Sequence, residues 1–256
     1  MALTADRLDR FSRHIILPEV GGAGQVALGA AHIVIVGLGG IGSPALQYLA
    51  AAGIGRLTLI DDDVVDASNL QRQTIYTTAD TGLPKGERAL AWLDRFDPEI
   101  AAHVIARRID TANAPGLLSG ADLVLDGTDN FATRLAVSDA CVATETPLLS
   151  AAVGRFQGQV GAFAGHLPDQ PCYRCYVGDA FDADDCDTCA EDGMLGAMAG
   201  WVGSFAAMQA IRLVLHGKAA FGDAQFGQLH LLDGMKPAMR SFTITKDPAC
   251  KGCAAS

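Results

Sequence analysis

Six of the seven cysteines in this 256-residue sequence form Cys-x-x-Cys pairs, a spacing typical of zinc sites. The pairs are Cys172/Cys175, Cys186/Cys189 and Cys250/Cys253. A tetrahedral zinc takes four thiolates, so one pair is in excess. The pattern alone leaves open whether the first two pairs form the site or whether the C-terminal pair takes part. The remaining cysteine, Cys141, lies in an apolar segment and is interpreted as a buried structural thiol.

A second group of residues has the pattern of a nucleotide-binding loop. The β-branched run HIVIV (32–36) leads into a glycine-rich turn and then into a helical stretch at about 44–52. The glycines of the turn are Gly37, Gly39, Gly40 and Gly42. Such glycines let the backbone approach a phosphate, whose charge the helix N-terminus stabilises. Asp61, at the end of the next predicted strand (56–61), stands where a ribose-binding carboxylate is expected.

Further polar residues follow the predicted strands and favour ATP over NAD as the nucleotide. We expect Asn69, Arg72 and Lys85 to lie near the carboxyl ends of the first two strands. A dehydrogenase needs no such cations, whereas a site that cleaves between the α- and β-phosphates of ATP does. Asp129, just past the strand 121–126, is placed to hold Mg²⁺ near the triphosphate.

These residues require a sheet whose strands end at a common edge. Apolar strand patterns alternate with helical patterns, including a helix at about 130–144, through the first half of the chain. The predicted strands are 32–36, 56–61, 121–126, 147–153, 158–165, 227–233 and 238–245. We therefore predict an α/β fold with a Rossmann-like, mainly parallel mixed sheet, helices on both faces, an antiparallel extension and a four-cysteine zinc site.

Length and charge limit the functions to consider. We expect a single domain over 1–256, with an ATP-binding half at about 1–150 and a carrier-binding and zinc half at about 151–256. The formal net charge of −10 argues against nucleic acid or anionic membranes as partners. The N-terminal segment has Asp6 and Asp9 and no long apolar run, so we expect a cytoplasmic protein without a signal peptide.

One uncharged segment, 193–211, approaches the length of a membrane span. It is rich in glycine and alanine and therefore only weakly hydrophobic. We favour a buried helix over a membrane span. Gly196 and Gly200, one turn apart, would then allow close packing.

Several motifs together resemble the MoeB/ThiF family, related to the ubiquitin-activating enzymes. They are RFSRHIIL, GLGGIGS, LIDDDVVDASNLQRQ, GLPK, LDGTDN, PCYRC and CKGC, and they extend from about Arg10 to Cys253. The resemblance implies a homodimer with one ATP site per subunit. The implied substrate is a ubiquitin-like sulfur-carrier protein ending in Gly-Gly. Its carboxylate would be adenylated, with release of pyrophosphate, for molybdopterin or thiamin synthesis, and we favour molybdopterin slightly.

The resemblance also implies roles for individual residues. Gly40 would contact the phosphates, Asp61 the ribose, and Asp129 the Mg²⁺ ion. Asn69, Arg72 and Lys85 would bind the triphosphate. Arg13, with Arg10 nearby, would reach into the partner subunit's site, and the i, i+3 spacing of these arginines predicts one face of a short helix.

For the cysteines, the resemblance assigns structural zinc to the first and last pairs. The implied ligands are Cys172, Cys175, Cys250 and Cys253. Cys189 corresponds to a cysteine that accepts the acyl group in some relatives, and a spectator thiol is the equal alternative. Cys186 has no role in the family pattern. The alternative zinc set with Cys186 and Cys189 therefore stays open.

Two other functions remain compatible with the sequence. An NAD-dependent oxidoreductase fits the glycine pattern and Asp61 but leaves Arg72, Lys85 and Asp129 unexplained. A non-catalytic ATP-binding scaffold that docks carrier proteins would need the binding residues but no turnover. Loss of activity in Arg72→Ala beyond any loss of ATP binding would distinguish an enzyme from a scaffold.

Overall fold

The core of the molecule is a mixed β-sheet, seen in a computed structural model that describes residues 3–178, 193–221 and 223–254. Its strands in the described residues are β1 His32–Val36, β2 Arg56–Ile60, β3 Ala101–Ile105, β4 Leu123–Asp126, β5 Leu148–Gly154, β6 Gln157–Phe163, β7 Gln228–Asp233 and β8 Ala238–Thr243. The order across the sheet is β3-β2-β1-β4-β5-β6-β7-β8. Strands β1 to β5 are parallel, and β6, β7 and β8 add on antiparallel. The predicted fold class is confirmed.

Helices cover both faces of this sheet. They are α1 Ala5–Arg10, α2 Ser12–Ile15, α3 Gly21–Ala30, α4 Gly42–Ala52, α5 Lys85–Phe96, α6 Ala114–Leu118, α7 Phe131–Ala143, α8 Tyr173–Val177 and α9 Gly196–Leu215. Local sequence features determine where several of these helices begin or end. Helix α4 stops at Gly53, which is left-handed at φ 84°. The Asn130 side chain accepts a hydrogen bond from the Thr133 N–H and caps α7.

Alternate residues of the central strands pack into two separate hydrophobic cores, one on each face of the sheet. Ile33 and Ile35 of β1 pack on the side of α3, α4, α5 and α9, whereas Val34 and Val36 pack on the side of α6, α7 and α8. Strand residues point to opposite faces in turn, so a strand buried on both faces must be apolar throughout. The continuous HIVIV run is the sequence signature of this environment.

Helix α9 forms the centre of one layer and packs against α4, β5 and β6. Its length and composition would suit a membrane span, but more than half of its apolar window is buried inside the protein. This agrees with the predicted buried helix. The glycine prediction was partly wrong. Gly200 has open space at its Cβ position, whereas Gly196 lies against the Gln71 carbonyl and Gly203 against Pro44 and the Ile41 carbonyl.

The predicted short helix with Arg10 and Arg13 on one face is wrong. The chain breaks at Phe11, which ends α1 and precedes α2. The Phe11 side chain is buried, with its ring against Gly53. Arg10 is held by its own subunit, donating to the Phe96 carbonyl at 3.0 Å, while Arg13 is exposed.

We predict that Gly203→Ala lowers the free energy of unfolding by about 1–3 kcal/mol because the new methyl group overpacks a filled contact. Its Cβ would lie 2.6 Å from the Ile41 carbonyl oxygen and 2.5 Å from Pro44 Cγ. Gly200→Ala in the same helix is the matched control. It should raise stability by roughly 0.5–1 kcal/mol through helix propensity. Urea denaturation of both variants measures the difference, and equal effects would contradict this packing.

Candidate functional site

A polar cavity of about 450 Å³ opens at the carboxyl ends of β1 and β4. These neighbouring strands mark the point where the strand order reverses, the usual ligand crevice of a doubly wound sheet. The volume suits a nucleotide-sized ligand. The lining includes Gly37, Gly39, Gly40, Asp61, Asn69, Arg72, Lys85, Arg107, Arg108, Asp129 and Arg134. The sequence-based expectation that Asn69, Arg72 and Lys85 lie together at this edge is confirmed.

The glycine-rich turn forms the floor of the cavity. Gly37 has a φ of 84°, a conformation that side-chain-bearing residues rarely adopt. Gly42 begins α4 and is buried against the Gly37 carbonyl, where any Cβ would overlap the oxygen. The turn therefore brings the N-terminus of an eleven-residue helix to the cavity. The N–H groups of that first turn can donate to an anion.

Asp61 lies at the end of β2 with its carboxylate held by the backbone. Its Oδ2 accepts from the Leu38 N–H at 2.6 Å, and its Oδ1 accepts from the Asp63 N–H at 2.9 Å. Burial raises the pKa of Asp61 above its ordinary value, an effect opposed by the Lys85 charge and by these two hydrogen bonds. The orientation is thus fixed before any ligand arrives, as a carboxylate that receives ribose hydroxyls would need.

Arg72 is oriented by Asn69, three residues earlier. The Asn69 Oδ1 accepts from Arg72 Nη2 at 2.8 Å and from Gln73 Nε2 at 3.0 Å. Arg72 Nη1 also donates to the Ser68 carbonyl at 3.3 Å. A guanidinium restrained in this way loses less conformational entropy when it binds a phosphate.

Lys85 is the first residue of α5 and its side chain is only 6% exposed. Its Nζ forms an ion pair with Asp63 Oδ2 at 2.9 Å, and Asp63 is largely exposed. A cation at a helix N-terminus is opposed by the helix dipole. This placement therefore favours an anionic ligand that would interact with the ammonium group and the helix end together.

Asp129 occupies the turn that follows β4. Its carboxylate is exposed and makes no hydrogen bond to any other described residue. Oxygen ligands of this kind suit Mg²⁺, which keeps several waters and is commonly held by one or two carboxylates and substrate phosphates. The donor set therefore fits a Mg²⁺ ion that accompanies a triphosphate.

Three arginines of the cavity were not predicted from the sequence. Arg107 and Arg108 follow β3, a strand missed because its AAHVI sequence is only half-buried. Arg134 lies in α7 and is 6% exposed. The sequence did contain a signal for Arg107 and Arg108, because these paired arginines directly follow a short apolar run.

Two predicted catalytic residues are not among the described residues that line this cavity. Arg13 is exposed on α2, away from the cavity lining of its own subunit. Cys189, with Cys186, lies outside the described residues, so its predicted role as an acyl acceptor stays a prediction.

The four remaining paired cysteines meet at a separate place. The sulfur atoms of Cys172, Cys175, Cys250 and Cys253 all lie within 4.8 Å of one another. Neighbouring Sγ–Sγ distances are 3.5 to 3.9 Å. Tetrahedral zinc with bonds of about 2.3 Å would separate its sulfurs by about 3.8 Å. The cluster could hold a metal, and its geometry fits zinc.

Hydrogen bonds fix this cluster to the body of the protein. The Asp247 N–H donates to Cys175 Sγ at 3.4 Å. Arg174, between the first two cysteines, forms a bidentate pair with Asp139 of α7, with both bonds at 2.7 Å. The cluster therefore joins the C-terminal tail to the helix that begins at the cavity.

The sequence of the chain matches a known protein family. Residues 11–252 match the ThiF family. The chain belongs to the ThiF family. It is 40% identical over 253 residues to the SAMP-activating enzyme E1 of Haloferax volcanii, covering 99% of this chain and 91% of the relative. It is 39% identical to the sulfur carrier protein adenylyltransferase of Thermus thermophilus, covering 99% and 93% of the two chains.

Two further likenesses concern Escherichia coli proteins. The molybdopterin-synthase adenylyltransferase of strain K12 is 39% identical, with 98% of each chain covered. The crystal structure of MccB with ATP has a TM-score of 0.78 at 22% identity, covering 96% of this chain and 74% of MccB. The ThiF-family fold thus holds across nearly the whole described chain.

We predict that the variant Cys250→Ser/Cys253→Ser loses the zinc of the wild-type chain, expected at about one ion per chain. Removal of two of four thiolates should also lower the melting temperature, since metal binding contributes directly to folding. Metal content by mass spectrometry and thermal melting measure both effects. Cys141→Ala, outside the cluster, should keep its zinc. Full retention in the double variant would point instead to the pair Cys186 and Cys189.

Proposed function

We propose that this ThiF-family protein adenylates the C-terminal glycine carboxylate of a ubiquitin-like sulfur-carrier protein. The reaction consumes ATP and gives an acyl adenylate and pyrophosphate. The observation that carries the proposal is the convergence of Arg72, Lys85 and Asp129 on the glycine-rich turn. The names of the relatives, including a molybdopterin-synthase adenylyltransferase, support a carrier of molybdopterin synthesis over one of thiamin synthesis.

The chemistry needs charge stabilisation more than proton transfer. A carrier carboxylate oxygen attacks the α-phosphorus, and the bond from that phosphorus to the oxygen bridging to the β-phosphate breaks. Arg72 and Lys85 would stabilise negative charge on the phosphates and the leaving pyrophosphate. Asp129 would hold Mg²⁺, which neutralises phosphate charge when bound. Asp61 would orient the ribose and Gly40 would contact the phosphates.

The composition of the cavity agrees with this chemistry. None of its described lining residues is a histidine or a cysteine. A carboxylate nucleophile is already ionised, so no general base is required. Positioning of the two reactants and preorganised cations then account for the rate enhancement.

We also propose that the protein acts as a homodimer in which Arg13 reaches the partner's nucleotide. Arg13 is exposed, and the neighbouring Ile16 and Leu17 present apolar surface. Exposed apolar side chains beside a cation suit a contact between two copies.

The same proposal covers the two halves of the chain, the cellular location and the role of Cys189. The ATP-binding half is about 1–150, and the carrier-binding half with a structural zinc is about 151–256. Val153 and Met194 of the second half also line the cavity, so the carrier tail would enter where the halves meet. The protein would be cytoplasmic, and Cys189 would either accept the acyl group or take no part.

We predict carrier-dependent ATP–pyrophosphate exchange by the purified protein. A molybdopterin-type carrier with an intact Gly-Gly end should support exchange better than a thiamin-type carrier, and a tail-truncated carrier should not support it. Arg72→Ala should reduce exchange by about 10²-fold or more while ATP binding changes less. Arg56→Ala is the matched control, because Arg56 is exposed at the opposite end of β2.

The outcomes separate the candidate functions. Exchange that is independent of the carrier tail would contradict carboxylate adenylation. ATP binding without exchange would favour a scaffold, and binding of NAD in place of ATP would favour an oxidoreductase.

The dimer proposal predicts complementation between two inactive variants. Arg13→Ala and Arg72→Ala each disable every site of their own homodimers. A random mixture would contain hybrid dimers with one intact site, restoring about a quarter of wild-type activity. Exchange activity after subunit mixing is the measurement. Unmixed samples of each variant are the controls, and no recovery despite proven subunit exchange would refute action between subunits.

A further inference from the structure

We infer that Arg134 is a positioning residue that fixes the turn after β4 so that Asp129 can meet the cation of a bound nucleotide. The inference rests on the proposed function. It assigns to Arg134 a role in Mg²⁺-dependent nucleotide binding that acts through Asp129, not through contact with the phosphates.

Most polar side chains in and beside the turn at 127–130 form hydrogen bonds that stabilise the turn itself. Asp126 Oδ1 accepts from the Thr128 N–H at 3.0 Å and from Thr128 Oγ1 at 2.7 Å. Asn130 Oδ1 accepts from the Thr133 N–H at 3.0 Å. Asp129 alone leaves its carboxylate exposed to the cavity without a hydrogen bond to the described residues.

Arg134 connects this turn to the next strand. Its Nη2 donates to the Thr128 carbonyl and also to the Ala151 carbonyl of β5 at 3.0 Å. Thr128 immediately precedes Asp129 in the chain, so this bond fixes the peptide unit that carries the carboxylate. Arg134 lies one turn into α7, which starts at the end of the same turn.

A buried acid interacts electrostatically with Arg134. Asp126 is fully buried, and its burial raises the pKa of the carboxyl group while the Arg134 charge acts in the opposite direction. Arg134 itself is 6% exposed. Its guanidinium donates to backbone carbonyl groups inside the protein, unlike Lys85, whose partner Asp63 is exposed to solvent.

The test compares ATP binding with and without Mg²⁺. In Arg134→Met, adding Mg²⁺ should no longer increase the affinity for a non-hydrolysable ATP analogue. The apparent affinity for Mg²⁺ should be about 10- to 100-fold weaker, as it is when a residue that orients a metal ligand is removed. Affinity measured in EDTA should change less than about twofold, because the phosphate-binding cations remain. Arg134→Lys should restore most of the Mg²⁺ effect, since the bonds to the Thr128 and Ala151 carbonyls leave one terminal nitrogen.

A double-mutant cycle decides whether Arg134 acts through Asp129. Arg134→Met should add no further loss of Mg²⁺ affinity in an Asp129→Ala background. Equal losses in both backgrounds, or an equal fall in EDTA and in Mg²⁺, would overturn the inference. Arg212→Met is the control, since Arg212 lies over Phe221 away from the cavity, and it should leave the Mg²⁺ effect intact. Absence of ATP binding by the wild-type chain would instead refute the proposed function.

Discussion

The close approach of Gly42 to the carbonyl group of Gly37 is the contact on which the site depends. It allows α4 to start directly after β1 and to direct its first turn at the cavity. The same helix buries Ala45, Leu46 and Leu49 in the core. Helix α9 then packs against the start of α4 through Gly203. A side chain at position 42 would displace α4 and with it both the anion-binding turn and one layer of the fold.

The cavity shows how an acidic protein can present a local site of positive charge. The chain carries a net charge of −10, yet Arg72, Lys85, Arg107 and Arg108 line one crevice. At short range a few cations in a partly buried site outweigh distant surface acids, which solvent and salt screen. Lys85 stands at a helix N-terminus, where the helix dipole opposes a cation and the exposed Asp63 is its ion-pair partner. A bound anion would interact favourably with both the ammonium group and the helix end.

Much of this arrangement could be predicted from the sequence, for identifiable reasons. Strands buried on both faces give unbroken apolar runs, so β1, β2 and β4 were predicted within about two residues of their ends. Strand β3 lies at the sheet edge and is half-buried, so its pattern was too weak. Arg107 and Arg108 were missed with it. The helix break at Phe11, whose ring lies against Gly53, could not be predicted from the local sequence pattern.

The cysteine cluster shows how two distant segments can support the site without entering it. Cys172 and Cys250 are 78 residues apart, and the pattern alone could not pair them. Their meeting ties the C-terminal tail to the body of the protein, together with hydrogen bonds from Lys246 to the carbonyls of Gly165 and Leu167. A metal held by all four thiolates would leave no position for substrate, so its effect on the proposed reaction would be mechanical. The Arg174–Asp139 pair offers the connection, because it joins the cluster to α7, and the N-terminal end of α7 is the turn that carries Asp129.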